Sequence, residues 1–474
     1  MAEIGSSESP LRVAIIGSGP SGFYAAEYLQ KQDISVKVDM FDRLPTPFGL
    51  VRGGVAPDHP KIKSVTKVYN RIAQKPDFRF FGNVEFGTDV TREDLAQHYH
   101  AIIYAVGAQT DRNLGIEGED LQGSHAATEF VAWYNGHPDF RDCEFDLTQE
   151  AVAVIGVGNV AMDVARILAR SREELLPTDI ADYALDALTT SNIKTIYIFG
   201  RRGPAQAAFT NPEIKELGEM AEADIIVLPD EIELDSLSQT YIESGEADKK
   251  QIRNVDILKS YAERQPDNKK KKIVLRFLTS PVEIIGDERV EMIKVVKNEL
   301  YKDDRGSLRP RATEEKELIP VGLVFRSVGY RGVPLKGVPF YDKWGIIPNK
   351  DGRVLTKHET GEQVIGDYCV GWIKRGPSGI IGTNKPDSVE TAKHLLEDME
   401  QGNLLTPESP SAEAIETLLK DRNVNYVTYA DWQILDAIEI EQGEKEGRSR
   451  KKFYDVETML RVIAENKGIE TLSE

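Results

Sequence analysis

Short runs of apolar residues alternate with longer amphipathic stretches along most of the chain. Near the N-terminal end the apolar runs lie at 12–16, 36–41 and 101–106. Each run is too short for a helix and is rich in β-branched residues, which is typical of strands buried on both faces of a parallel sheet. Helical sequence follows the first run at 23–30. The pattern therefore predicts a βαβ fold of the α/β class.

The same pattern begins again in the middle of the chain. Apolar runs at 151–155 and 195–199 flank a helical stretch at 161–170. Three strand-like runs between 273 and 298 predict a meander, and residues 412–474 predict two or three charged helices. A chain of 474 residues exceeds the size of one compact domain. The sequence therefore predicts two α/β folds in one chain.

A glycine-rich turn follows the first predicted strand. Gly17, Gly19 and Gly22 form G-x-G-x-x-G between that strand and the next helix. In this context the first glycine allows a tight turn, the second lets a pyrophosphate approach the backbone, and the third lets helix and strand pack closely. Asp42 ends the second strand about 20 residues later, where an acid binds the ribose hydroxyls. The motif predicts a dinucleotide site, and an ordinary turn of an α/β unit is the alternative.

The segment GVGNVA at 156–161 is a second turn of this kind. The strand at 195–199 that follows it ends not in an acid but in Arg201 and Arg202. Arginines at this position pair with the 2′-phosphate that distinguishes NADP from NAD. They lie about 40 residues past the turn instead of the usual ~20, so two solvated surface arginines are the alternative. Two turns in the same strand and helix context predict two dinucleotides.

A long loop rich in proline and glycine, at 43–60, follows Asp42. Long structured loops inside α/β domains are more often functional than idle. Asp58 stands before Pro60, and this pair predicts the N-terminal cap of a helix that runs to about Lys75.

Composition and charge exclude several classes of protein. The formal net charge of −19 argues against nucleic acid as the main partner. Cys143 and Cys369 form no C-x-x-C pair and no metal-binding spacing, so we expect no metal site and two reduced thiols in a cytoplasmic protein. No apolar run approaches 18 residues, so no membrane span is expected.

Several longer motifs resemble the adrenodoxin reductase family, and in particular its bacterial NADPH–ferredoxin reductases. They are GSGPSGFYAA, PFGLVRGGVAPDHPKIKSV, YAVGAQTDR, GVGNVAMDVARIL, GRRGPAQAAFT and VGWIKRGPSGIIGTNK. The resemblance implies two Rossmann-like domains. An FAD domain consists of 1–107 and 330–474, the latter with a C-terminal helical extension, and an NADP domain at 108–329 is inserted into it. It also implies an enzyme that passes electrons from NADPH through FAD to a ferredoxin-type iron–sulfur protein.

The resemblance also assigns site residues. The residues implied to contact or shape the FAD site are Gly17, Gly19, Ser21, Gly22, Asp42, Leu50, Phe86, Trp372, Gly379, Ile380 and Ile381. The residues implied to bind NADP are Val157, Gly158, Asn159, Val160, Arg201, Arg202, Glu213 and Gly379. His59 and Glu216 are implied to act near the flavin and the nicotinamide. A loop-bracing histidine, a solvated helix carboxylate and, for Trp372, a core position are the alternatives.

Three other functions share part of this pattern. A disulfide reductase needs a redox pair of cysteines, and the small-subunit class of glutamate synthase adds cysteine clusters; this chain has neither. A non-catalytic flavin-binding sensor would need neither Arg201 nor Arg202 and would not turn over with NADPH. The sequence leaves open which ferredoxin is the partner, the direction of electron flow and the oligomeric state.

An acidic ferredoxin would need a local basic surface on so acidic a chain. The candidates are Lys215, Lys249, Lys250, Arg253 and Lys259, with Lys374 and Arg375 nearer the flavin. Ordinary solvated side chains are the alternative for each of them.

Overall fold

The computed structural model describes residues 3–467 and divides into two compact units. The first unit contains the residues up to Val55, His59–Thr110 and the residues from Tyr330 onwards. The second unit contains Ala56–Asp58 and Asp111–Gly329, so it is inserted into the first. Among residues 3–467, no helix combines the length and apolar character that a membrane crossing requires.

The regular elements alternate between strands and helices over most of the chain. The strands are β1 (Leu11–Ile16), β2 (Val36–Phe41), β3 (Phe78–Phe81), β4 (Ala101–Tyr104), β5 (Thr110–Asp111), β6 (Ser124–Ala126), β7 (Ala151–Ile155), β8 (Thr195–Phe199), β9 (Ala223–Val227), β10 (Lys271–Arg276), β11 (Thr279–Ile285), β12 (Met292–Lys302), β13 (Leu308–Pro320), β14 (Leu323–Arg326), β15 (Tyr330–Arg331), β16 (Asn349–Lys350), β17 (Arg353–Leu355) and β18 (Gln363–Cys369). The α-helices are α1 (Pro20–Leu29), α2 (Leu50–Gly53), α3 (Pro60–Lys63), α4 (Thr66–Ala73), α5 (Arg92–Ala96), α6 (Ala127–Tyr134), α7 (Asn159–Ala169), α8 (Arg172–Leu175), α9 (Asp182–Thr189), α10 (Asn211–Gly218), α11 (Pro229–Ile232), α12 (Ser236–Glu243), α13 (Lys249–Ala262), α14 (Trp372–Arg375), α15 (Asn384–Glu400), α16 (Ala412–Asp421), α17 (Tyr429–Lys445) and α18 (Val456–Asn466).

The first unit is built on a seven-stranded sheet with the order β16-β17-β18-β4-β1-β2-β3. The five strands from β18 to β3 are parallel, and β17 and β16 form an antiparallel edge. The connections run in opposite directions on either side of β1. Doubly wound folds bind ligands at such a point, outside the carboxyl ends of the strands. The first glycine turn lies there because it directly follows β1.

Side chains of β1 alternate between two hydrophobic cores. Val13 and Ile15 pack into one core, and Ala14 and Ile16 pack into the other. The C-terminal helices close both cores, since Trp432 of α17 packs into the first and α16 packs into the second. These helices are therefore part of the fold of the first unit.

The second unit contains a six-stranded parallel sheet and a separate antiparallel sheet. The parallel order is β6-β14-β7-β8-β10-β9, and the second glycine turn follows β7, where this order reverses. The antiparallel sheet is β11-β12-β13, in which β12 and β13 form a long hairpin with its turn at 303–307. The chain thus forms two separate parallel α/β sheets, and the segment that forms the second is inserted in the sequence of the first unit, which confirms the predicted fold class.

One predicted sheet was wrong. The run at 273–277 was expected in a meander, but β10 pairs in parallel with both β8 and β9. A short apolar run has no period that distinguishes the two settings. The meander instead consists of β11, β12 and β13.

Candidate functional site

The three glycines of the first turn meet different surroundings. A Cβ on Gly17, whose φ is +102°, would lie 2.6 Å from the Ala105 carbonyl oxygen, and one on Gly22 would lie 2.6 Å from the Gly17 carbonyl oxygen. A Cβ on Gly19 would meet nothing within 4 Å. Gly19 is the N-cap residue of α1 and, having no side chain, makes no side-chain cap hydrogen bond there. The open space at the N-terminus of α1 fits an anionic group such as a pyrophosphate.

Asp42 follows β2 and holds the glycine turn in place. Its Oδ2 accepts the Ser18 N–H at 2.9 Å and the Ser18 hydroxyl at 2.5 Å, and its Oδ1 accepts the Leu44 N–H at 3.0 Å. A carboxylate has about four lone-pair sites, so these bonds leave capacity for a ribose hydroxyl. The ribose-binding role of Asp42 stays a prediction.

The loop at 43–60 folds back onto the glycine turn. The Phe48 N–H donates to the Ser18 carbonyl oxygen at 3.0 Å. A Cβ on Gly49 would lie 3.1 Å from the Gly19 Cα, so the two backbones are in contact. Leu50, the first residue of α2, is consequently held near the open space at Gly19 and is 37% exposed. Phe86 packs in a T-shaped arrangement on Tyr104 of β4 at a centroid distance of 5.7 Å, and Tyr104 pairs with Ile16, which directly precedes the glycine turn.

The segment after β18 packs against the same helix. A Cβ on Gly371 would lie 2.1 Å from the Ser21 Oγ, and the Ser388 hydroxyl donates to the Ser21 carbonyl oxygen at 2.9 Å. Trp372 therefore lies near the first turn of α1, half-buried and stacked on Tyr330 at a centroid distance of 5.3 Å. This position favours the wall of a site over the core.

The loop beyond Trp372 presents the last predicted flavin residues. Gly379 and Ile380 are exposed, Ile380 by 57%, and Ile381 is half-buried. Arg375 holds this loop by donating to the Ser378 carbonyl oxygen at 2.7 Å and to the Asn384 side chain at 2.8 Å.

Lys374 was proposed as an exposed docking residue, and this was wrong. Its side chain is 7% exposed, and its Nζ donates to Glu390 at 2.7 Å and lies 3.1 Å from Asp387. The sequence shows the charge of a lysine but not its burial. Lys374 therefore stabilises the start of α15 within its own unit.

The second glycine turn repeats the geometry of the first. A Cβ on Gly156, whose φ is +130°, would lie 2.1 Å from the Ser327 carbonyl oxygen, whereas one on Gly158 would meet nothing within 4 Å. The Val157 carbonyl oxygen accepts two backbone N–H groups, both at 3.0 Å, from residues 208 and 209. The Asn159 Oδ1 accepts the Thr210 N–H at 2.8 Å. Val160 lies in the first turn of α7 and is half-buried.

Arg201 and Arg202 follow β8 without an acidic partner. Among the described residues, no carboxylate lies within ion-pair distance of either guanidinium group, and Arg202 is half-buried. Burial lowers the pKa of Arg202, and the like charges of Arg201 and Arg309 lower it further. Neighbouring positive charges that no carboxylate neutralises attract an anion, so these two guanidinium groups are suited to bind one.

A buried ion-pair network surrounds Arg166 of α7, a residue that the sequence analysis did not single out. Its fully buried guanidinium donates to Asp58 at 2.7 Å, to Asp163 at 2.6 Å and to Glu213 at 3.1 Å. Burial alone would lower the pKa of Arg166, but these carboxylates together raise it well above its ordinary value. Glu216 is 40% exposed and lies 3.7 Å from the same guanidinium. An arginine on an otherwise apolar helix face was the available signal.

The expected cap at Asp58 was also wrong. Its carboxylate accepts hydrogen bonds from Arg166 and, at 2.6 Å, from Arg170. The N-cap residue of α3 is His59 instead. That helix has four residues, and a separate helix, α4, follows it. Both arginines are partners of this carboxylate that the sequence did not indicate.

The fold and the two turns define the class of protein. Each unit carries a glycine turn at the point where its parallel sheet reverses order, which is the arrangement of oxidoreductases that bind two nucleotides. A sequence profile of the pyridine nucleotide-disulphide oxidoreductase family matches residues 11–197. Over that stretch the chain is similar to the nucleotide-binding oxidoreductases that the profile describes.

Individual relatives identify the family of oxidoreductases to which the chain belongs. The chain is 46% identical over 462 residues to the NADPH-ferredoxin reductase FprA of Mycobacterium tuberculosis, covering 96% of this chain and 99% of that protein. It is 40% identical to the mitochondrial NADPH:adrenodoxin oxidoreductase of Salvelinus fontinalis, covering 95% and 91%. The structure of M. tuberculosis FprA in complex with NADPH matches with a TM-score of 0.89 at 45% identity, covering 96% and 100%. The chain belongs to the adrenodoxin reductase family, which confirms the resemblance found in the sequence.

Proposed function

We propose that this chain is an NADPH–ferredoxin reductase that binds FAD in its first unit and NADPH in its second. The observation that carries the proposal is the pair of glycine turns, each with open space at its second glycine and none at its first. FAD, when bound, would supply the conversion between the two-electron hydride of NADPH and the single electrons that an iron–sulfur protein accepts. The chain's own residues bind and orient the two nucleotides.

The first unit supplies the FAD site. The N-terminus of α1, with Gly19 and Ser21, would hold the pyrophosphate, and Asp42 would accept a hydrogen bond from a ribose hydroxyl. Leu50, Phe86 and Trp372 provide apolar surface for the flavin, which also excludes water from it. The loop at 379–381 completes the site.

The second unit supplies the NADPH site. The backbone at 157–160 faces the pyrophosphate from the N-terminus of α7, and Asn159 braces that turn through Thr210. Arg201 and Arg202 bind the 2′-phosphate through charge-assisted hydrogen bonds. Glu213, fixed by Arg166, positions the coenzyme, and Glu216, which is partly exposed, hydrogen-bonds the nicotinamide. His59 orients a water molecule or tunes the flavin.

The one-electron acceptor is a separate ferredoxin-type protein. Cys369 is fully buried, and burial raises the pKa of its thiol, so it is unreactive. Two cysteines do not provide the four ligands of an iron–sulfur cluster. We place the reaction in the cytoplasm, where NADPH and reduced thiols are maintained.

Cofactor extraction and coenzyme titration test this proposal. Purified protein should release FAD on heat denaturation, and anaerobic NADPH should bleach its flavin absorbance. Replacing both arginines (Arg201→Ala with Arg202→Ala) removes the charge-assisted hydrogen bonds to the 2′-phosphate and should raise the KM for NADPH by about tenfold or more. The KM for NADH, which lacks this phosphate, should stay nearly unchanged. Apoprotein that takes up no FAD, or flavin that NADPH leaves oxidised, would contradict the proposal.

A further inference from the structure

A cavity in the second unit lies directly beside Arg202. Its volume is about 420 Å³, within the ~300–1,000 Å³ typical of small-molecule sites. One wall is formed by α12 and the first turn of α13, and the opposite wall by the tip of the β12–β13 hairpin. No sequence motif indicates a role for this hairpin.

The charges that line the cavity are mainly positive. Arg202, Lys302 and Arg309 face it from two separate segments, and Glu246 contributes the one carboxylate among the lining residues. Among the residues that the structure describes, Arg309 donates only its Nε to a carboxylate, that of Asp303, at 3.0 Å. This hydrogen bond fixes the guanidinium group and leaves its terminal nitrogens for a ligand. On a chain with a net charge of −19, a concave surface of this sign selects an anion.

A buried acceptor in the same wall indicates more than a simple anion. Gln206 lines the cavity and is 8% exposed, and its Nε2 donates to the Ser238 hydroxyl at 3.2 Å. Within residues 3–467 its side-chain oxygen has no hydrogen-bond partner. A buried acceptor without a partner costs free energy unless a ligand donates to it. A nucleoside phosphate combines the required anionic group with hydroxyl and amino donors.

We propose that the hairpin, through Arg309 and Lys302, is part of the site for the 2′-phosphate of NADPH, and that this cavity takes the adenosine end of the coenzyme. The inference rests on the proposed function and extends its NADPH site beyond Arg201 and Arg202. Arg309 binds the phosphate in a planar fork, which suits phosphate geometry better than a lysine does. The hairpin thereby contributes to the preference for NADPH over NADH.

Binding of adenosine 2′-monophosphate to the FAD-loaded enzyme tests the inference by isothermal titration calorimetry. Arg309→Ala should raise the Kd for this ligand about tenfold or more, the loss expected for hydrogen bonds to a charged group. The Kd for adenosine 5′-monophosphate should change less than about twofold, because its phosphate binds at the Gly158 turn. Arg309→Lys should lose part of the affinity, since it keeps the charge without the fork.

A matched control lies in the same hairpin. Arg305 is exposed in the turn and does not line the cavity, so Arg305→Ala removes an equal charge without touching the site. It should leave binding of both monophosphates unchanged. The ratio of kcat/KM for NADPH to that for NADH should fall about tenfold in Arg309→Ala and stay constant in Arg305→Ala. If Arg309→Ala lowers the Tm, the folded Arg309→Lys variant replaces it, and a loss of affinity for adenosine 2′-monophosphate in that variant supports the role of Arg309.

The possible outcomes separate this inference from the proposed function. If Arg202→Ala weakens binding of adenosine 2′-monophosphate and Arg309→Ala does not, the hairpin proposal is wrong and the coenzyme assignment stands. If inorganic phosphate competes as well as adenosine 2′-monophosphate, the cavity is a general anion site and the proposal is also overturned. If the wild-type enzyme itself does not distinguish the two monophosphates, the NADPH assignment fails.

Discussion

Gly19 and Gly158 differ from the other glycines of their turns because an added Cβ meets no protein atom there. Neither has a positive φ, so alanine fits the backbone at both positions. A methyl group would instead occupy the space in which the pyrophosphate approaches. The two substitutions therefore act on ligand binding and not on folding.

Gly19→Ala should yield folded protein with little FAD, whereas Gly158→Ala should keep FAD and raise the KM for NADPH about tenfold or more. FAD content, the far-ultraviolet circular dichroism spectrum and NADPH titration measure this. Each variant is the control for the other. Equal loss of FAD in both variants would show that the turns do not bind separate nucleotides.

Asp111 shows how burial shapes the pH dependence of stability. Burial raises the pKa of its carboxyl to about 6, although Thr128 donates its N–H at 3.1 Å and its hydroxyl at 3.0 Å. An acid whose pKa is raised in the folded state contributes stability below its unfolded pKa and loses it as pH rises through about 6.

Asp111→Asn removes this titration. Relative to wild type, the variant should gain about 1–3 kcal/mol in free energy of unfolding between pH 4.5 and pH 7.5, since one pKa unit corresponds to about 1.4 kcal/mol. Urea unfolding of both proteins at the two pH values provides the measurement. A stability difference that does not change with pH would contradict the burial argument.

At the level of elements, the sequence predicts what depends on local pattern. The strands next to both glycine turns, the turns themselves and the Asp42 position follow from apolar runs and glycine spacing, which short-range sterics govern. Local pattern did not predict three other features. They are the place of β10 inside the parallel sheet, the burial of Lys374 and the ion-pair network around Arg166. Each depends on segments far apart in the chain, such as Asp58 and Glu213 around Arg166, which no local period encodes.

A buried ion pair joins α17 to α2, the short helix within the loop at 43–60. Glu439 is fully buried, and its carboxylate accepts hydrogen bonds from both terminal nitrogens of Arg52, at 2.8 and 2.5 Å. It accepts a third hydrogen bond from Arg450 at 2.8 Å. Burial alone would raise the pKa of Glu439, but the two arginines lower it below its ordinary value. Arg52 follows Leu50 in α2, so the ion pair fixes the loop that covers the first glycine turn.

Glu439→Gln should therefore cost about 3–5 kcal/mol in unfolding free energy, the usual loss when one partner of a buried pair is removed. It should also weaken FAD binding, measured by reconstitution of apoprotein, because the loop loses its anchor. Glu441→Gln is the control, since Glu441 lies on the same helix but is exposed and pairs only with Lys445 among the described residues. Comparable losses in both variants would refute the special role of the pair.

At the level of the whole molecule, net charge constrains the partner. Two acidic proteins repel at long range, so an acidic ferredoxin needs a local basic surface. Lys249 and Arg253 are exposed on α13, and the partly exposed Lys250 donates to the Ala208 carbonyl oxygen at 3.1 Å. We keep these three residues as the proposed docking surface.

Charge reversal of Lys249, Lys250 and Arg253 to glutamate should raise the KM for ferredoxin, whereas NADPH-driven dye reduction at saturating NADPH should keep its rate. Ferredoxin turnover should also fall as salt shortens the Debye length from about 10 Å to about 3 Å. Reversal of Lys420, Lys445 and Arg461, which lie on the C-terminal helices, is the matched control. Ferredoxin turnover that ignores both salt and the first set would place docking elsewhere.

The central claim is that electrons pass from NADPH through this chain to a ferredoxin. NADPH-driven reduction of cytochrome c, measured with and without an added [2Fe–2S] ferredoxin, tests it most directly. The account predicts that ferredoxin accelerates the reduction in a saturable manner, that FAD-free protein does not support it, and that NADH is a poor substitute. Flavin that NADPH reduces readily but that no ferredoxin can reoxidise would contradict it.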